Sequence, residues 1–270
     1  AVSTPNEEVL SEMIQSEAYE LLGIIHQKLN NYHEALKNFE VALVKKSKLS
    51  STNRQQILKI ELSIIEIKIE LAQYGATRQK LEELLQNLES VELEDSEIVN
   101  ARILDLLSTV AIKMGNDTKA LNYAKAALSK LSHVSLERCV DEAISVYLKI
   151  AKIYYLFSQS QESLRHIKKA EDIVIKFYGQ DHYEMVEIYN MYGITFYDND
   201  RDNESEEIFK KNFELAKRYF GERHKTMGLI CDYLGLLAIS LGNLEAASDY
   251  INKSVKIYRD IYGEAHPDTM

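Results

Sequence analysis

The chain repeats itself at a fixed step. Tyr178-Gly179-Gln180-Asp181-His182, Phe220-Gly221-Glu222-Arg223-His224 and Tyr262-Gly263-Glu264-Ala265-His266 align with one another, each 42 residues beyond the last. Ala151, Gly193 and Gly235 form a second series in the same phase, and Ser163, Ser205 and Ala247 a third. Self-similarity at such a period is the signature of a solenoid, in which each unit buries its apolar face only by stacking on its neighbours.

Composition decides what the units are made of. Pro5 and Pro267 are the only prolines, and ten glycines are spread over 270 residues. A sandwich or barrel needs a turn roughly every ten residues and draws on Gly and Pro to make it. Long helices are expected instead, and the apolar spacing agrees. Tyr19, Leu22, Gly23 and His26 step as one helical stripe, and Ala35, Leu36, Phe39, Ala42 and Leu43 as a second. Between them Asn31-Tyr32-His33-Glu34 has the spacing of a capping box. The unit around Gly193 does the same: Tyr189, Tyr192, Gly193 and Phe196 make one face, Asn203 to Glu206 the cap, and Ser205, Phe209, Asn212 and Phe213 the next face. Gly115-Asn116, Asn199 to Asn203 and Gly242-Asn243 mark tight turns. The pattern predicts one all-α array over 1–270, built from six antiparallel helix pairs at roughly 7–49, 52–91, 95–133, 135–179, 182–221 and 224–263.

These residues resemble the tetratricopeptide-repeat family. Tyr19, Leu22-Gly23, His26, Ala35, Phe39 and Ala42 match its pattern nearly position for position. Tyr147, Ala151, Tyr154, Ile167 and Ala170 match more loosely, as do Tyr189, Gly193, Phe196 and Phe209, and Leu234-Gly235, Ala247 and Ile251. The family's usual repeat is about 34 residues. A 42-residue step with Tyr262-Gly263-Glu264-Ala265-His266-Pro267 between units is similar to the kinesin-light-chain branch, although His182 and His224 lack the proline. The second unit departs most, with Lys68 where Gly23 aligns; the third has Ser108 there. The resemblance implies a right-handed superhelical solenoid. A seventh first helix should begin where the sequence stops at Met270, so the chain reads as a fragment of a longer protein.

Charge and motifs narrow the function. Forty-two acids against 32 bases give a net charge of −10, without the basic footprint of a nucleic-acid binder or of a protein held to anionic membranes. No run approaches the length of a membrane span, and the N-terminus has no secretory signal. Cys139 and Cys231, far apart in apolar segments, read as buried thiols of a cytoplasmic protein. The periodic histidines sit one per repeat, about 10 Å apart in a stack, too far to share an ion. Asp198 to Asn203 opens like a calcium loop, but Asn203 and Phe209 stand where Gly and Glu are required. No catalytic motif occurs at a recognisable spacing. Neither a cofactor nor a metal nor catalysis is expected.

What remains is recognition. Thirteen of the 17 tyrosines lie from Tyr147 onward, which points to the C-terminal half. In the family, positions five, nine and twelve of each first helix tend to face the concave groove, counting Gly193 as the eighth. Position five gives Glu20, Ile65, Asp105, Leu148, Asn190 and Asp232; position nine gives Ile24, Ile69, Thr109, Lys152, Ile194 and Leu236. Tyr155 and Tyr197 occupy position twelve. Asn190 matches the asparagine that, in kinesin-light-chain-like repeats, bonds the backbone of an extended peptide. Glu20 and Ile24 replace the residues that clamp a C-terminal carboxylate in chaperone-binding repeats. The expected partner-binding set is Lys152, Tyr155, Asn190, Ile194, Tyr197, Asp232 and Leu236. The expected function is a protein- or peptide-binding scaffold or adaptor. The alternatives are a peptide-sensing regulatory domain and a structural self-association module.

Overall fold

The computed structural model describes residues 5–49, 54–88 and 95–263. Among them are twelve α-helices, one short 3-10 turn and no strand. The chain divides into two compact units, Ala1–Lys80 and Leu81–Met270. The first holds α1 (Pro5–Lys28), α2 (Tyr32–Lys48), α3 (Arg54–Glu70) and the start of α4 (Tyr74–Leu88). The second continues through α5 (Ser96–Lys113), α6 (Asp117–Leu131), the 3-10 turn Leu136–Arg138 and α7 (Val140–Leu156). It ends with α8 (Ser160–Phe177), α9 (Met185–Tyr197), α10 (Asp202–Phe220), α11 (Lys225–Ser240) and α12 (Leu244–Tyr262). Consecutive helices pack as hairpins: α1 on α2 in the first unit, and α5 on α6, α7 on α8, α9 on α10 and α11 on α12 in the second.

The period that the sequence shows in only three repeats runs through all six turns in the backbone. Asn30, Ala72, Gly115, Ser158, Asp200 and Gly242 all take a left-handed conformation, with φ between 57° and 77°, and follow one another at steps of 42 or 43. At each, the amide bonds the carbonyl three residues back, and the next amide reaches five back. For Asp200 and Arg201 these bonds go to Tyr197 (3.1 Å) and Phe196 (3.0 Å). This is the Schellman closure, which satisfies the last carbonyls of a helix. Four of the six residues are not glycine and adopt this conformation at roughly 1–2 kcal/mol each. Without glycine, the turns at Ala72 and Ser158 carry no such mark in the sequence.

Counting seven residues back from each turn gives Gly23, Ile65, Ser108, Ala151, Gly193 and Gly235. Ile65, not Lys68, is thus the counterpart of Gly23, and positions five and nine of the second pair become Leu62 and Glu66. The sequence register is three residues off here because α3 buries seven aliphatic residues around its circumference, so no stripe marks a face.

At this position the two helices of a pair approach closely. A Cβ on Gly23 would lie 2.9 Å from the Phe39 ring, one on Gly193 2.6 Å from Phe209, and one on Gly235 2.8 Å from Ile251. The third periodic series lies beside this contact: Ser205 Oγ donates to the Gly193 carbonyl at 2.8 Å. In the third pair the direction reverses, with Ser108 Oγ donating to the Ala120 carbonyl at 2.9 Å. Ser163 is equally buried, but its hydroxyl has no partner. A buried bonded hydroxyl contributes about 1 kcal/mol, whereas an unbonded one costs a similar amount. Ser205→Ala is therefore expected to lower the urea midpoint, and Ser163→Ala to leave it unchanged or raise it. Equal losses in the two variants would contradict the difference in bonding.

The periodic histidines hold the junctions between pairs. His182 stacks on Tyr178 and His224 on Phe220, both with ring centroids 4.4 Å apart. His224 Nδ1 accepts the Thr226 amide at 3.3 Å and so caps α11. Glu264 to Pro267, the rest of the third junction, lie outside the described residues. Two expected caps differ: Asn31 precedes α2 without a side-chain cap bond, and α10 starts at Asp202, so Asn203 lies inside it. Asn116 and Asn243 make the side-chain caps, bonding the amides of Lys119 and Ala246. Cys139 and Cys231 are buried free thiols. No helix among the described residues is long and apolar enough to cross a membrane.

Candidate ligand-binding groove

In the second unit the first helices α5, α7, α9 and α11 contact one another in succession, whereas the second helices make far less contact among themselves. Closer spacing puts the first helices on the inner side of the curve, the side on which positions five, nine and twelve are expected. A polar rung joins the first two. Ser145 Oγ donates to Asp105 Oδ2 at 2.9 Å, and Lys149 Nζ donates to Thr109 Oγ1 at 2.5 Å and lies 3.6 Å from Asp105.

Lys152 comes next. Its side chain is exposed, and the surrounding helices partly desolvate it. Desolvation is the main force lowering its pKa. Glu187 opposes that shift, while Lys149, Lys113 and Lys225 add to it. An anionic group brought to Lys152 would relieve this cost, because it favours the charged ammonium.

Beyond Lys152, Tyr155 and Tyr197 meet in one pocket of about 420 Å³, lined also by Ser158, Ser160, Asp198, Asp200, Asp202 and Ser240. The aromatic wall is rigid. Tyr197 meets Tyr233 edge-on at 5.8 Å, and Tyr233 stacks on buried Phe209 at 5.0 Å. Burial pushes the Tyr155 hydroxyl pKa up, and hydrogen bonding to Asp198 adds to the rise. Ser240 Oγ donates to Asp202 Oδ2 at 2.7 Å across the rim. Three carboxylates and several hydroxyls favour a cationic or hydrogen-bond-donating group, and the ring faces favour flat apolar area. Among the described residues, no cluster of three or more His, Cys, Asp or Glu could hold a metal ion.

The expected residues divide into two groups. Lys152, Tyr155, Tyr197 and Leu236 are at least partly open, and Leu236 is 40% exposed. Asn190 is 2% exposed; its amide accepts from Asn212 (2.7 Å) and donates to Glu187 (3.2 Å). It does not reach a peptide backbone in this conformation, and Ile194 is buried beside it. Asp232 turns to Ser254, which donates to its carboxylate; burial raises the Asp232 pKa, and this bond, with one from Tyr258, lowers it. The cause lies 22 residues downstream. The residue 22 positions after Leu148 is Ala170, whereas those 22 after Asn190 and Asp232 are Asn212 and Ser254. A polar residue there draws position five onto its own second helix. That exchange is visible in the sequence itself. The sequence shows Asp198, Asp200 and Asp202 only as the start of an incomplete calcium loop; the packing of α7, α9 and α11 brings them into the pocket with the tyrosines.

Comparison with known proteins agrees with this architecture. Tetratricopeptide-repeat family profiles match residues 16–43 and 229–268. No curated protein matches the chain. Solved structures share the fold at low identity. The Rap conjugation gene regulator of plasmid pLS20, in complex with the Phr* peptide, has a TM-score of 0.74 at 12% identity, over 97% of this chain and 78% of that one. Aspartyl phosphate phosphatase F from Bacillus subtilis scores 0.62 at 13%, over 96% and 74%. The kinesin light chain TPR-like repeats of Podosopora anserina score 0.53 at 12%, over 75% and 95%.

Proposed function

Because the chain is a tetratricopeptide-repeat protein, we propose that it binds a partner through an extended peptide segment laid along the inner face of α5, α7, α9 and α11. The observation that carries this reading is the Tyr155–Tyr197 pocket with exposed Lys152 and exposed Leu236 on the same series of first helices. Rigid aromatic walls bind apolar area at low entropy cost. Lys152 takes an acidic side chain, the Asp198–Asp202 rim takes a basic one, and Leu236 offers an aliphatic contact. Both signs of charge favour a segment of mixed charge over a nucleic acid. Asn190 serves by holding Glu187 rather than by touching the ligand. The role proposed for this pocket is binding, without catalysis.

A peptide-sensing regulatory domain is the second reading. It draws on the likeness to the Rap regulator, which is described with a bound peptide. It also draws on the buried Asn190–Asn212 bond and the part-buried Asp232–Ser254 bond, which tie first to second helices and would be exchanged on binding.

The test is an array of extended peptides of mixed charge, with the best binder carried into titrations. Tyr197→Ala and Lys152→Glu are each expected to weaken its binding about tenfold, roughly 1–2 kcal/mol, with helicity unchanged. Normal binding by both variants, with loss on changing Lys210 or Lys211 of α10, would move the site to the second helices.

A further inference from the structure

The outer face of α1 carries an apolar stripe that its own unit leaves open. Ser16 and Gly23 mark the inner face: Ser16 Oγ lies 3.4 Å from the Ala42 carbonyl it donates to, and Gly23 abuts Phe39. At 3.6 residues per turn the opposite face falls at Leu10, Ile14, Ala18, Leu21 and Ile25, and Leu29 extends it just past the helix end. The five large residues are between 52% and 60% exposed, and Ala18 is exposed as well. A surface helix normally turns polar residues outward, so α1 is inverted. With neighbouring Leu22, the patch offers roughly 600 Å², at the upper limit for an ordinary monomer.

The spacing says what fits it. The steps from Leu10 to Leu29 are four, four, three, four and four, a pattern that reads the same from either end. An antiparallel copy about a two-fold axis sets Leu10 against Leu29, Ile14 against Ile25 and Ala18 against Leu21, each twice. An interface between identical chains must be self-complementary in this way, and Ala18 leaves room for Leu21 where the helices cross. The same pairing sets Glu17 opposite Leu22 and Lys28 opposite Ser11, so like charges do not meet. Two such faces bury roughly 1,200 Å² together, the lower end of the range for specific interfaces.

We propose that this face joins two copies of the chain, α1 against α1, as an antiparallel two-fold pair. Sedimentation of the full chain from micromolar to several hundred micromolar concentration is expected to show a species of twice the 31.0 kDa chain mass. Leu21→Glu with Ile25→Glu should leave only single chains, with unchanged far-ultraviolet dichroism. Leu244→Glu, at the 69% exposed apolar position that opens α12, should leave the pair intact. A wild-type chain of single mass throughout, which is also what a covering segment from elsewhere in a longer chain would give, overturns the proposal. So does a pair that survives the double change, or one lost with Leu244→Glu.

Discussion

Gly193→Leu should destabilise the second unit by about 3 kcal/mol, near the top of the usual range for overpacking. The first added carbon already lies 2.6 Å from the Phe209 ring. That ring cannot retreat, because it is fully buried and Tyr233 stacks against it at 5.0 Å. The remaining atoms of leucine must then push α9 from α10 and break the Ser205 bond to the residue-193 carbonyl. Adding Phe209→Leu should recover part of the loss, with a coupling above about 1 kcal/mol between the two positions, as expected for residues in direct contact. Urea midpoints of the four proteins give the measurement, read as apparent stabilities because an array need not unfold in one step. An unchanged midpoint for Gly193→Leu would remove the register on which the groove positions rest.

In the first unit the largest loss is expected from Lys46→Met. Lys46 on α2 reaches back to Glu20 on α1 at 2.5 Å, and the side chains are only 10% and 15% exposed. Removing the ammonium leaves a largely buried carboxylate with its counter-charge gone, a change that costs about 3 kcal/mol or more for buried pairs. The pair itself need not add net stability, since its attraction is offset by the desolvation of both charges. Lys46→Met with Glu20→Leu is therefore expected to return close to wild-type stability. Hydrogen exchange in α1 and α2 measures both variants. A single variant as stable as wild type would mean that water reaches Glu20 freely, and a double variant as weak as the single would mean that packing, not charge, sets the loss.

Helix content, antiparallel pairing and the spacing of the units were legible in the sequence, because they depend on local chemistry. Absence of proline leaves helices uninterrupted, apolar residues at three and four steps define their buried faces, and Gly23, Gly193 and Gly235 mark the close approach to Phe39, Phe209 and Ile251. The aromatic-to-histidine junctions were also legible, since Tyr178 with His182 and Phe220 with His224 stack within one short segment. The register of α3 was not. A helix aliphatic all round has no preferred face until neighbours surround it, and only the left-handed turn at Ala72 fixed Ile65 in place of Lys68. Nor was the accessibility of the groove. Asn190 and Tyr197 occupy equivalent grades of the family pattern, but Asn212 draws Asn190 inward while α11 leaves Tyr197 at a pocket edge. Whether a side chain points to water or to a neighbour depends on residues some twenty or forty positions away, and only the packed helices bring those within reach.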